Sequence, residues 1–195
     1  DGGLFGRVRK EWKLETSARA AFGATRRAKG RVDSDDTLRH LVEANVGTVC
    51  IVGKSWDYHV TEALGTTLDE GVAMVGDSVE FLCRSGMQVL FDAEHFFDGF
   101  KRNPEFALRV LESAVTNGAG HLVLCDTNGG ALPHQVENAV AEVVRYFGGD
   151  VIVCVHLPDD AGPGVANALG GVIRGATHVH GTITGLARRS GTSDP

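Results

Sequence analysis

The sequence predicts an α/β fold of the (β/α)8-barrel type, and three observations lead to it. Six short apolar runs alternate with longer segments of helical periodicity, at about 25 to 35 residues per unit, the length of a strand–helix–strand element. No glycine-rich phosphate turn, which would indicate a doubly wound sheet, follows the first run. Polar side chains follow every run, as expected for a barrel whose chemistry lies at the carboxyl ends of its strands.

The six predicted strands are apolar runs of four to seven residues. They are Ala18–Phe22, Thr48–Val52, Gln88–Phe91, His121–Cys125, Val151–Val155 and Thr177–Ile183. The fifth run is apolar throughout, which favours a strand covered on both faces, as in a parallel sheet. It ends abruptly where His156 begins a polar cluster.

Helical patterns separate the runs. They lie at 67–84, 104–118, 133–147 and 165–174. Thr67 followed by Glu70 predicts a capping box at the first, and Pro104 and Pro133 stand at first-turn positions of the next two. Residues 1–16 show no clean period and are predicted to be an atypical leader, so that the barrel domain spans residues 17–195.

Composition limits the classes of function. A chain of 195 residues with 43% hydrophobic content can bury one substantial core. The net charge is −6, and basic residues cluster only near the N-terminus, which argues against a nucleic-acid-binding face. The four cysteines lie far apart without a CxxC pair, so neither disulfides nor thiolate metal sites are predicted.

The sequence also predicts a cytoplasmic protein that does not associate with membranes. It shows no signal-like apolar stretch at the N-terminus and no apolar run near 18 residues.

The polar residues after the six runs form the candidate site. They are Thr25–Arg27; Lys54–His59; Asp92, Glu94, His95 and Asp98; Asp126–Asn128; His156, Asp159 and Asp160; and Thr182, Thr184, Arg188 and Arg189. Taken singly, each has a structural explanation, such as a turn and helix cap at 126–128 or a loop histidine at His59. Their coincidence at six strand ends predicts a pocket for a small polar anion.

Four segments carry a resemblance to a known family. GKSWDYHVTEALGTTLDE, FDAEHFFDGFKRNPEFAL, LVLCDTNGGALPH and GTITG resemble the citramalate synthase branch of the α-isopropylmalate synthase and homocitrate synthase family, whose barrel also occurs in hydroxymethylglutaryl-CoA lyase. The resemblance runs from about Ala18 to Asp194 and implies that six βα units, strands 3 to 8 of the barrel, are present.

The resemblance implies an acyltransferase of branched-chain amino-acid biosynthesis. Such enzymes condense acetyl-CoA with a 2-oxo acid, pyruvate in the citramalate case, with Mg2+ or Mn2+ polarising the oxo acid. It implies catalytic roles for Glu94 and Thr127, with Thr127 also binding the substrate carboxylate. Arg26 and His59 fall in matching segments and are expected to bind substrate, and His156 is expected to be a metal ligand.

The metal motif departs from the family's pattern. Aligning His156–Asp160 with the H-x-H-N-D motif puts Pro158, which has no donor atom, at the second histidine. In the last segment Arg188 replaces a glutamate and Thr192 an asparagine of the family's motif. His156 is then expected to bind the ion only weakly, with Asp160 as the alternative oxygen ligand, and the activity of this chain is expected to be impaired.

Three hypotheses remain open. The chain is a citramalate-synthase-type acyltransferase whose missing parts lie outside it, or an inactive family member or fragment that binds a small anion or a partner protein. A third reading is a structural subunit that completes another barrel. Six strands cannot close with eight-strand geometry and leave an exposed apolar seam, so a homodimer is expected.

Overall fold

The computed structural model describes residues 2–186, 191 and 192, and a single parallel sheet of six strands dominates them. The strands are β1 (Ala20–Ala24), β2 (Thr48–Lys54), β3 (Gln88–Glu94), β4 (His121–Cys125), β5 (Ile152–His156) and β6 (His178–His180). Each strand pairs in parallel with the next one along the chain. A doubly wound sheet would reverse its strand order at a switch point, so this succession confirms the barrel-type prediction and its six βα units.

Seven α-helices accompany the strands in the described part of the chain. They are α1 (Gly2–Glu11), α2 (Asp36–Glu43), α3 (Leu68–Arg84), α4 (Phe96–Arg102), α5 (Pro104–Thr116), α6 (Pro133–Phe147) and α7 (Gly164–Ile173). Local sequence fixes several starts and ends. The Asp35 carboxylate accepts hydrogen bonds from the N–H groups of Thr37 and Leu38, Asn103 caps α5 directly before Pro104, and Gly148 ends α6 at a φ of 68°.

The predicted boundaries hold for the central elements and fail at several ends. The fourth strand agrees with the prediction, whereas β2 and β3 continue to Lys54 and Glu94, and β6 is shorter than predicted. Helices α1, α2 and α4 were not predicted. The segment expected to be an atypical leader contains α1, and the domain boundary at residue 16 stays a prediction.

Thr67 caps α3 as predicted, but the Glu70 side chain binds residues of another loop instead of completing the capping box. The Thr67 hydroxyl accepts the N–H of Glu70 at 3.2 Å. The Glu70 carboxylate instead accepts hydrogen bonds from Arg26 at 2.7 Å and from the N–H of Lys29 at 2.6 Å. Glu70 therefore fastens the loop after β1 to the start of α3.

The two faces of the sheet have different roles. Side chains such as Ile51, Phe91 and Leu124 are fully buried in the main core, each contributing about 1.5–3 kcal/mol of burial free energy. The other face carries a separate small cluster of Val123, Cys125 and Cys154, with Leu90 against it. Because alternate strand residues share a face, Asp92 and His156 extend this inner face toward the carboxyl ends of the strands.

No helix among the described residues combines the length and the apolar character that a membrane span requires.

Candidate functional site

A cavity of about 640 Å³ lies on the inner face at the carboxyl ends of the strands. Phe22 of β1 and Val179 of β6 both line it, so the sheet curls until its first and last strands border one space. A smaller cavity of about 250 Å³, between α4 and α6, is lined by Phe97 and Ala139 among others. The strand-end cavity is the candidate site because it gathers the chemically active side chains.

Glu94 and Thr127, the two predicted catalytic residues, both line this cavity. Glu94 ends β3 and forms an ion pair with Lys54, its register partner at the end of β2. Both side chains are about a quarter exposed, at 26% and 27%. The structure thus brings the predicted carboxylate to the cavity and adds a cation beside it.

The backbone of His95 positions Thr127. The N–H of His95 donates a hydrogen bond of 2.8 Å to the Thr127 hydroxyl oxygen. His95 has a φ of 58°, which is uncommon for a residue with a side chain, and its Nδ1 lies 3.5 Å from Asp98. The strained residue at the start of α4 therefore fixes a hydroxyl on the cavity wall.

His59 lies next to this wall, and no atom of it lines the cavity. It begins a single π-helical turn, His59–Ala63, a feature frequent at functional sites. Its ring stacks on Trp56 at 4.8 Å and meets the edge of His95 at 4.2 Å. Burial lowers the pKa of His59, and the neighbouring His95 and Lys54 act in the same direction, so the ring is neutral at pH 7.

Arg26 lies away from the cavity, on the helix side of the sheet. Its side chain is 5% exposed and forms ion pairs with Glu70 and Asp77 of α3, each at 2.7 Å. Its backbone N–H donates to the Ser78 hydroxyl. The chain turns outward after β1, so the guanidinium anchors a loop to α3. These contacts give Arg26 a structural role, and the substrate-binding role that the resemblance implied for it stays a prediction.

His156 has two companions that were not predicted as metal ligands. Single donor atoms of Asp92, His156 and His180 all lie within 4.8 Å of one another. His156 and His180 end β5 and β6 and are register partners, and Asp92 comes from β3. The expectation of a lone, weakly binding histidine therefore does not describe the geometry.

Burial shapes the protonation of these three groups. It raises the pKa of Asp92, an effect that a hydrogen bond from the Cys50 thiol opposes. Burial lowers the pKa of His156 and of His180. Both imidazoles are therefore neutral at pH 7 and keep a lone pair for a metal or a proton.

The remaining residues of the predicted motif have other positions. The Asp160 side chain packs against Gly129 and does not join the group around His156. Asp159 accepts the N–H of Gly164 at 2.6 Å, at the start of α7. Pro158 pairs with Thr192 in an antiparallel bridge, and Arg188 and Arg189 lie outside the described residues.

Sequence reasoning named Asp92 only as one polar residue among many and did not name His180. A signal was available, because the alternation in the last predicted strand puts His178 and His180 on one face. The register then brings that face to His156.

Comparison with known proteins identifies relatives of this chain. The chain is 46% identical to the (R)-citramalate synthase of Aquifex aeolicus over 98% of its length, and 42% identical to that of Sulfolobus acidocaldarius over 95%. It spans only 36% and 35% of those two relatives. The crystal structure of the Bacillus subtilis HMG-CoA lyase superposes with a TM-score of 0.75 at 18% identity, covering 96% of this chain and 62% of the lyase. The model of the HMGL-like family matches residues 20–194, and the chain belongs to that family.

Proposed function

We propose that this chain forms the oxo-acid side of an acyltransferase site that condenses acetyl-CoA with pyruvate, as in the citramalate synthase step of branched-chain amino-acid biosynthesis. One observation carries the proposal. Glu94, Thr127 and the group of Asp92, His156 and His180 meet at one cavity, in a chain 46% identical to an (R)-citramalate synthase. Because the chain spans about a third of that relative, the complete reaction is proposed for the longer protein that such relatives represent.

The reaction sets the chemical demands on the cavity. A base removes a proton from the methyl group of acetyl-CoA, and the resulting carbon nucleophile adds to the keto carbon of the oxo acid. Water then cleaves the thioester and releases the thiol of coenzyme A. Glu94 presents a carboxylate to the cavity. We assign to it the role of the base that removes the methyl proton.

Thr127 and Lys54 suit the anionic end of the oxo acid. The Thr127 hydroxyl is fixed on the cavity wall by His95, where it can bind a substrate carboxylate. Lys54 beside Glu94 offsets the negative charge that Glu94 and a bound oxo acid would bring together. His59 stays a proposed substrate contact, and its stacked position beside Trp56 supports an indirect role.

A divalent cation fits the donor atoms of this cavity. A carboxylate and two imidazoles are a common ligand set for such ions, and here they come from Asp92, His156 and His180. When bound, the ion would supply Lewis-acid polarisation of the oxo group. Neither the homodimer nor the cytoplasmic location expected from the sequence is tested by the fold, and both stay predictions.

Release of coenzyme A thiol tests the proposal. The longer protein is purified and incubated with acetyl-CoA, pyruvate and Mg2+ or Mn2+, and the product is identified as citramalate by mass. Glu94→Gln should lower the rate at least 100-fold, since general acid–base groups contribute about 10²–10⁴-fold. Glu62→Gln, at an exposed position outside the cavity, is the matched control and should leave the rate unchanged. Wild-type turnover no greater than that of Glu94→Gln would refute the proposal.

Binding without turnover is the second candidate, and the Pro158–Thr192 bridge favours it. The resemblance expects metal-associated residues at positions 158 and 192. Here Pro158 and Thr192 pair with each other instead. The Thr192 hydroxyl also donates a hydrogen bond of 3.2 Å to the backbone oxygen of Leu157. Calorimetric binding of pyruvate without thiol release would support this alternative over acyl transfer.

A further inference from the structure

Another cavity lies at the opposite end of the sheet from the candidate site. It has a volume of about 530 Å³ and is bordered by the segment before β1 and by the loop between α2 and β2. Trp12, Lys13 and Arg19 line one side, and Asn45 and Thr48 line the other. Because Arg19 directly precedes β1 and Thr48 begins β2, this cavity lies at the amino ends of the strands.

Arg19 carries a buried polar atom that lacks a partner. Its Nη1 atom is shielded from solvent and has no hydrogen-bond acceptor among the described residues. Buried polar groups are nearly always hydrogen-bonded, and a guanidinium group has N–H donors but no acceptor. The missing partner is therefore a hydrogen-bond acceptor, and an anion would also compensate the positive charge.

The charged side chains of this cavity are both cations. Lys13 and Arg19 line it, and within the described part of the chain no aspartate or glutamate does so. Ser17, Asn45 and Thr48 add neutral groups that can donate or accept hydrogen bonds. Arginine matches a phosphate group with two parallel N–H donors, and lysine binds it as a point charge. The lining therefore suits a phosphorylated anion.

Trp12 gives the same cavity an aromatic surface. Its side chain lines the cavity and is 61% exposed, so much of the indole can contact a ligand. Nucleic-acid bases stack on such aromatic side chains whatever their sequence. The cavity volume of about 530 Å³ also falls within the range of roughly 300–1,000 Å³ that is usual for small organic ligands. The space and the indole together favour a ligand larger than a phosphate ion.

We propose that this cavity binds a small phosphorylated ligand with a planar aromatic group, of the nucleoside monophosphate class. Arg19 and Lys13 bind the phosphate, and Trp12 stacks on the base. The cavity lies at the opposite end of the strands from Glu94 and Thr127. The ligand therefore binds apart from the proposed reaction, and the inference does not rest on that reaction.

Calorimetric titration of the longer protein with adenosine 5′-monophosphate in a phosphate-free buffer tests the site. We expect saturable binding that weakens as the salt concentration rises. Inorganic phosphate and adenosine, titrated separately, should each bind at least about tenfold more weakly than the nucleotide. Arg19→Met should weaken nucleotide binding at least about tenfold, because charge-assisted hydrogen bonds to the phosphate are lost. Trp12→Leu should weaken nucleotide binding by about tenfold and leave the binding of inorganic phosphate unchanged.

Arg27→Met and Lys10→Gln are the matched controls. Arg27 follows the other end of β1 and Lys10 lies on α1; both are exposed, and neither lines the cavity. Their replacement should change the nucleotide affinity less than about twofold, since exposed charges at a distance are screened by salt. Thermal unfolding of each variant verifies the fold. Should Arg19→Met not fold, the contrast between Lys13→Gln and Lys10→Gln decides.

Three results would overturn the proposal. They are no saturable nucleotide binding, equal losses in Arg19→Met and Arg27→Met, and phosphate binding as tight as nucleotide binding with no loss in Trp12→Leu. The titrations contain neither acetyl-CoA nor pyruvate, so they succeed or fail separately from the thiol-release assay.

Discussion

Replacing Arg26 by methionine should destabilise the protein without weakening pyruvate binding. Arg26 donates two hydrogen bonds to one oxygen of Asp77, at 2.9 and 2.7 Å, and one to Glu70 at 2.7 Å. Methionine keeps much of the apolar stem and removes all three charge-assisted bonds. The substitution therefore separates a structural role from the substrate-binding role expected from the sequence.

The partners' exposure sets the magnitude. Removing one member of a fully buried ion pair costs about 3–5 kcal/mol. Asp77 is 51% exposed and Glu70 23% exposed, so both regain hydration when the guanidinium is lost, and exposed pairs contribute only about 0–1 kcal/mol. We expect a loss of about 2–3 kcal/mol, which lowers the melting temperature by about 5–10 °C in a chain of this size.

Thermal unfolding followed by circular dichroism measures the effect, with pyruvate binding measured by calorimetry on the same samples. Arg27→Met is the matched control, because the neighbouring Arg27 side chain is exposed. It should change the free energy of unfolding by less than about 0.5 kcal/mol. Unchanged stability of Arg26→Met together with weakened pyruvate binding would refute the structural role.

Three further predictions concern stability and reactivity. Hydrogen bonds, of which the one from Arg26 has the largest effect, lower the pKa of Glu70. The ionised Glu70 side chain therefore stabilises the fold fully above about pH 4.5, and this stabilisation is lost as the pH falls through the lowered pKa. Glu70→Gln should flatten the acid limb of a curve of stability against pH. Gly99→Ala should cost about 1–3 kcal/mol, measured by urea denaturation, because a Cβ there would collide with the backbone oxygen of Ser55; Gly47→Ala, with open space around it, should be neutral. Three of the four cysteines are buried, and burial raises the pKa of their thiols. A thiol reagent at pH 8 should therefore label at most one cysteine per folded chain and all four after unfolding, and rapid labelling of two or more would contradict the buried positions.

The sequence predicted the sheet well because the strands of a parallel sheet are continuous apolar runs. It placed the ends of β2 and β3 too early, since Lys54 and Glu94 are polar residues that still belong to strands. These two side chains are polar because the cavity lies at this end of the strands, and not because the sheet ends before them. Helix α4 was missed because it is only seven residues long, contains a glycine at Gly99 and follows His95, which has a left-handed conformation.

The candidate site was predicted in part, for a physical reason. Carboxyl ends of parallel strands meet at one edge, so Glu94, Thr127 and His156 were expected to converge, and they line one cavity. Arg26 lies away from this cavity, beside α3, because a residue after a strand can turn to either side of the sheet. His180 was missed because strand register, which aligns it with His156, is not visible in a single sequence.

The location of a bound metal ion tests the central claim most directly. Crystals of the protein grown with Co2+ and pyruvate, measured at an energy where cobalt scatters anomalously, would show where the ion lies. We predict one strong peak bounded by Asp92, His156 and His180, with the pyruvate carboxylate toward Thr127. A peak at Asp159 and Asp160, or no ordered ion at the strand ends, would contradict the account.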